Sequence, residues 1–222
     1  MSTTARPAGS VCAWRAGGRA VAALLIAMGS MMTGFAQDRM PPIPADKLTD
    51  AQKRAVEEFK AARSADTSGP FVPLLRSPEL MSRARAMGDY LRFKSVLAPR
   101  LSEFAILIAA RQWTQQYEWD VHYPLATRAG LNPDTAKAVA EGRRPDRMAE
   151  DEEVLYNLCT ELQRNQSVSD ATYQRAVAKL GEQGVIDAIG IQGYYTLLAM
   201  VMNTARTPLP QGRAPALAPP GR

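Results

Sequence analysis

Residues 99–130 read PRLSEFAILIAARQWTQQYEWDVHYPLATRAG, and this stretch decides the fold class. Pro99 suits the first turn of a helix, where a missing amide proton costs nothing. Phe104 to Ala110 (FAILIAA) is then apolar on every helical face. Such a helix belongs in the middle of a domain or at a subunit contact. The polar and aromatic residues that follow keep a helical composition as far as Gly130, a plausible terminator. Pro124 falls inside that second half, so it kinks the helix or marks its first turn.

Start and stop signals recur on both sides of this stretch. Thr49-Asp50-Ala51-Gln52 has the form of a capping box and opens a polar helix to about Arg63. Ser77-Pro78-Glu79 sets a cap, a first-turn proline and an acid on the positive dipole end, and starts a helix to about Lys94. Between them Thr67 to Ser77 carries Gly69, Pro70 and Pro73 and reads as irregular chain. Asn132-Pro133-Asp134 caps a short helix ending at Gly142. Glu150 to Glu153 opens another to about Gln163, with Val154, Leu155, Leu158 and Leu162 on one face. Ser169-Asp170 caps a helix that ends near Gly181. The last helix places Ile186, Ile189, Gly193, Leu197 and Met200 in one continuous stripe, in which Gly193 implies close approach of another helix. No window shows strand alternation between turn signals. The expectation is an all-α bundle of about seven helices, its apolar centre covered partly by self-association.

The ends of the chain have a different character. Arg6, Arg15 and Arg19 precede the apolar run Ala20 to Met28, which is too short to span a bilayer. Gly34-Phe35-Ala36 then offers small residues for cleavage before Gln37. Residues 1–36 are therefore expected to be a signal peptide, which makes the protein exported, periplasmic or secreted, and free of the membrane once cleaved. Residues 37–47 are a Pro-rich linker, 48–206 a single all-α domain, and 207–222 a Pro-, Ala- and Gly-rich tail expected to be disordered. The formal charge of +5 owes three arginines to the leader, so it implies no nucleic-acid surface. Beyond the leader there is one cysteine, Cys159, and hence no internal disulfide.

His122 is the only histidine of the chain, and Glu118 precedes it by four residues on the same helical face. A carboxylate beside an imidazole fixes its tautomer and favours its protonated form. The pair reads either as acid–base machinery working near neutral pH or as an ordinary helix contact beside core aromatics. Tyr117, Trp119 and Tyr123 are candidates for the walls of a pocket. Arg111 is a candidate for binding a substrate carboxylate, or else a surface arginine. One histidine and scattered acids make no zinc or facial-triad set.

From about Leu74 to Pro210 the chain resembles the carboxymuconolactone decarboxylase family, which shares its fold with alkylhydroperoxidase D. The residues carrying the likeness are Ser77-Pro78-Glu79-Leu80, Leu101 to Leu107, Tyr117-Glu118-Trp119 with His122, Ala129-Gly130-Leu131, and Tyr194-Tyr195 with Met202-Asn203. In the peroxidase branch a glutamate precedes a Cys-x-x-Cys pair and a proton-relaying histidine. Glu103 and His122 fall at the outer positions here, while Gln115 and Glu118 replace the cysteines. Neither replacement can exchange thiols, so a cysteine-based peroxidase is disfavoured. The resemblance implies a homo-oligomer, trimeric or hexameric, without a cofactor, acting as a lyase or decarboxylase on a small organic acid or lactone. In that reading His122 moves a proton, Glu118 orients it and Glu103 assists. The alternative is a non-catalytic ligand-binding protein on the same scaffold. A single straight helix from Pro99 to Ala129 would hold Glu103 and His122 about 28 Å apart. The site therefore needs the chain to turn back near Thr114 to Gln116, where no glycine or proline marks a turn.

Overall fold

The computed structural model describes residues 37–218; the expected signal peptide, 1–36, and residues 219–222 lie outside the described residues. Eight α-helices and no strand occur among the described residues: α1 (Asp50–Arg63), α2 (Phe71–Leu74), α3 (Pro78–Phe93), α4 (Pro99–Gln112), α5 (Gln116–Arg128), α6 (Pro133–Ala140), α7 (Glu150–Asn165) and α8 (Asp170–Ala205). The all-α expectation holds.

Local chemistry accounts for most of the boundaries. The Thr49 hydroxyl accepts from the Gln52 amide while the Gln52 side chain accepts from the Thr49 amide, closing the capping box of α1. Pro78, Pro99 and Pro133 each stand in the first turn of a helix. The Asn132 side chain accepts from the Asp134 amide, and that of Ser169 from the Thr172 amide. Within α8 the backbone breaks at Gly181, where φ is +72° and ψ is 164°. A side chain at that φ is strained, so glycine is the residue that permits the bend.

α4 is the axis of the bundle. It packs against α5, α6, α7 and α8, and every residue from Phe104 to Ala110 is buried. A buried Leu, Ile or Phe contributes about 1.5–3 kcal/mol relative to exposure, so this helix and α8 are large contributors to core stability. One chain covers it completely, which overturns the argument that its apolar surface requires a second subunit. α1, α2 and α3 form a layer that reaches the bundle through α3 and α2 against α8.

The stripe expected on the last helix faces the other way. Ile186 is 65% exposed, Ile189 and Met200 are exposed, and no atom lies within 4 Å of where a Gly193 Cβ would be. The inward face is instead Ala188, Ile191, Tyr195, Leu198 and Met202. Gly190 and Gly88 are the close approaches, against Leu91 and Tyr194. By length and composition α8 is also apolar enough to cross a membrane, but its inner side belongs to the core.

Both ends of the described chain are tied down. The Arg39 amide donates to the Ala205 carbonyl at 2.7 Å, and the Arg76 guanidinium donates to the Pro41 carbonyl. Residues 207–218, which composition leaves without fixed structure, return to the start of α5. There the Gln116 side chain bonds the amides of Ala216 and Leu217 and the Leu217 carbonyl, and Leu217 itself is buried.

Candidate active site

The reversal between α4 and α5 is made by Thr114, a β-branched residue held at φ +47°. Left-handed geometry disfavours such a residue by about 1–2 kcal/mol, so its surroundings must impose it. The Gln115 amide donates to the Ala110 carbonyl, and the Gln115 side chain accepts from the Tyr117 amide to cap α5. From α8, Asn203 accepts from the Gln115 side chain and donates to the Trp113 carbonyl. The turn is thus clamped by tertiary hydrogen bonds and needs no glycine.

This hairpin lays α5 back along α4 and brings Glu103 to His122. Glu103 Oε2 is 2.6 Å from His122 Nδ1, and Glu118 Oε2 is 3.4 Å from His122 Nε2. The imidazole is buried, and the Tyr195 ring meets it edge-on at 5.0 Å. Burial opposes the charged imidazolium, but hydrogen bonds to Glu103 and then Glu118 outweigh it and raise the His122 pKa above its ordinary value. Burial also raises the Tyr117 hydroxyl, with the Glu118 carboxylate adding to the effect, and lifts Tyr194 to about 12. One oxygen of Glu118, Oε1, is buried without a hydrogen-bond partner.

His122, Glu118, Tyr117, Tyr194 and Tyr195 line one cavity of about 160 Å³. Of the residues expected at the site, Glu103, Glu118 and His122 come together, and Tyr117 forms a wall. Trp119 does not: it is buried at a different groove, stacked on Tyr123 at 6.2 Å. Nor does Arg111, which lines a separate cavity of about 260 Å³ with Arg143 and Tyr156 and donates to the Ala218 carbonyl. Residues 118 and 122 lie about 40° apart round the helix, while 119 lies about 100° from 118, on the flank that borders the other groove. Arg111 sits at the far end of α4 from Glu103, more than two turns along the axis.

The cavity also contains Arg63 and Arg92, from α1 and α3, which no motif in the sequence marks. Nothing in the order of residues links them to His122; only the docking of the α1–α3 layer on α8 does. Tyr194 and Tyr195 had a signal, since they belong to the segment resembling the family's C-terminal helix.

A buried, acid-raised imidazole flanked by carboxylates can hold a proton and pass it to a bound molecule. The thiol offers no comparable route: Cys159 is fully buried, and burial lifts it to about 12. No protein-family model matches the chain, and neither does any curated protein.

Proposed function

We propose that the chain is a carboxymuconolactone decarboxylase-like enzyme acting by His/Glu acid–base chemistry on a small organic acid or lactone. The observation that carries this reading is the His122–Glu118 pair at the wall of a cavity, with Glu103 on the other imidazole nitrogen and one Glu118 oxygen unpartnered. The tight contact at Nδ1 makes Glu103 the orienting residue. The looser contact at Nε2 leaves His122 and Glu118 to exchange a proton with the ligand. In a decarboxylation the C–C bond to the leaving CO₂ breaks and its electron pair passes into the conjugated carbonyl as an enolate. His122 then returns a proton to carbon.

The test is turnover of a panel of lactone acids and unsaturated carboxylic acids, followed by CO₂ release. His122→Ala is expected to keep the helical signal and abolish turnover; turnover unchanged from wild type removes the proposal. A ligand-binding protein without catalysis is the second reading. It is favoured by the fact that both imidazole nitrogens already face carboxylates, and turnover by none of the panel would select it.

Two further parts of the reading rest on other observations. The exposed face of α8, with Ile186, Ile189, Met200 and the open Gly193, supports burial against a second copy in a homo-oligomer, trimeric or hexameric. Light scattering of wild type and Ile186→Glu checks this, and a wild-type monomer refutes it. The Arg-flanked apolar run near the N-terminus supports export, and a mature protein beginning at Gln37 is the expected product.

A further inference from the structure

Two recesses meet at the candidate site. The inner chamber, about 160 Å³, holds His122, Glu118 and Tyr117. The outer one, about 600 Å³, is bordered by Phe93, Lys94 and Asp66. Arg63, Arg92, Phe59 and Ser68 line both, so they form the neck between them.

The two arginines at this neck are in opposite states. Arg63 is committed: it pairs with Asp89 at 2.8 Å and lies over the rings of Phe59 and Phe71 at 5.3 and 4.7 Å. Asp89 is shared with Arg85 at 2.6 Å. Arg92 has no ion pair and no side-chain hydrogen bond among the described residues, and its Nε is buried without a partner. Its guanidinium lies only over Phe93, at 5.1 Å. A half-buried guanidinium whose Nε–H is buried without a partner is costly unless an anion completes the group. A planar fork of donors fits a carboxylate, which it can bind through two parallel hydrogen bonds.

The inner chamber limits what can hang from that carboxylate. An engineered apolar cavity of about 150 Å³ accepts benzene, so the chamber beside His122 takes one six-membered ring or its open-chain equivalent. We infer that Arg92 anchors the carboxylate of a monocyclic organic acid at the neck and directs its ring into the chamber against His122. The inference rests on the acid–base reading for the meaning of that pose, but the binding itself stands apart from turnover.

Benzoate is the probe, and benzyl alcohol its uncharged counterpart. Calorimetry gives affinity, and the ring signals of the single histidine report where the probe sits. Benzoate is expected to bind and to shift His122, with benzyl alcohol at least about tenfold weaker, the discrimination of one charge-assisted contact. Arg92→Met is expected to lose about tenfold or more, and Arg92→Lys to recover part of it. Benzoate that fails to bind, binds without moving His122, or binds Arg92→Met as well as wild type overturns the assignment. Should Arg92→Met not fold, the ratio of benzoate to benzyl alcohol on wild type decides alone. A His122→Gln variant that has lost turnover yet binds benzoate leaves the anchor standing. Equal binding by wild type and Arg92→Met removes the anchor and leaves the proton chemistry untouched.

Discussion

Glu103 on α4 and His122 on α5 meet at 2.6 Å across two antiparallel helices, inside the bundle and away from bulk water. The carboxylate there is the largest influence holding the imidazole in its charged form against burial. Glu103→Gln keeps an acceptor in place and removes the charge. The His122 pKa is expected to fall, read by NMR titration, with a stability loss of about 1–3 kcal/mol in urea. An unchanged pKa would mean that the charge on Glu103 does not govern the imidazole.

The same contact predicts a pH dependence whose sign is fixed. The folded pKa of His122 is raised, so the folded state binds its proton more tightly than the unfolded chain does. The resulting stabilisation is full below about pH 6.5, the unfolded value, and is lost as pH rises through the raised folded value. His122 is the only histidine, so His122→Asn should flatten that slope. Melting curves from pH 6 upward check it. A second decline is expected at more alkaline pH, because burial raises Cys159 and Tyr194 to about 12 and Tyr195 well above its ordinary value.

Thr114 carries the left-handed turn at a conformational cost that glycine does not incur. Its hydroxyl accepts only a long bond from Arg111, at 3.3 Å. Thr114→Gly is therefore expected to stabilise the protein by about 0.5–1 kcal/mol, the strain relieved less the entropy lost. Denaturant midpoints decide this, and a destabilised variant would show that the hydroxyl matters more than the backbone.

Gly88 on α3 is the reverse case. An alanine there gains helix propensity of about 1 kcal/mol, but its Cβ would stand 2.7 Å from Cζ of Tyr194 and collide with the hydroxyl. Tyr194 meets Tyr195 edge-on at 5.2 Å, and Tyr195 meets His122 in the same way. Gly88→Ala is expected to cost about 1–3 kcal/mol and to move the His122 ring signals. Still signals with full stability would show that the tyrosine ring swings away freely.

Much of the scaffold could be read in advance because its boundaries are set by local chemistry: Thr49, Ser169 and Asn132 as caps, Pro78 and Pro99 in first turns, Gly181 at a bend. The inversion of the α8 stripe has a plain cause. Ile186, Ile189, Leu197 and Met200 on one side, and Ile191, Tyr195, Leu198 and Met202 on the other, are both apolar at helical spacing, and periodicity alone does not say which faces inward. The turn at Thr114 left no compositional mark, because Asn203, some 90 residues on, supplies its hydrogen bonds. Glu103 could join His122 in the sequence only through the family resemblance. Arg63 and Arg92 had no such help, since their relation to the imidazole exists only once α1 and α3 are docked.

The bond from the Arg39 amide to the Ala205 carbonyl sets the segment leading to α1 beside the end of α8. Topologically the fold is then close to a ring with a single seam. A short linker in place of residues 207–218 could join those points, giving up the Leu217 contact on α5, and new termini could be opened at the exposed Gln166-Ser167 connection between α7 and α8. Such a permuted chain would keep the Thr114 elbow, the buried imidazole and its carboxylates in unbroken sequence, while α8 would be made first instead of last.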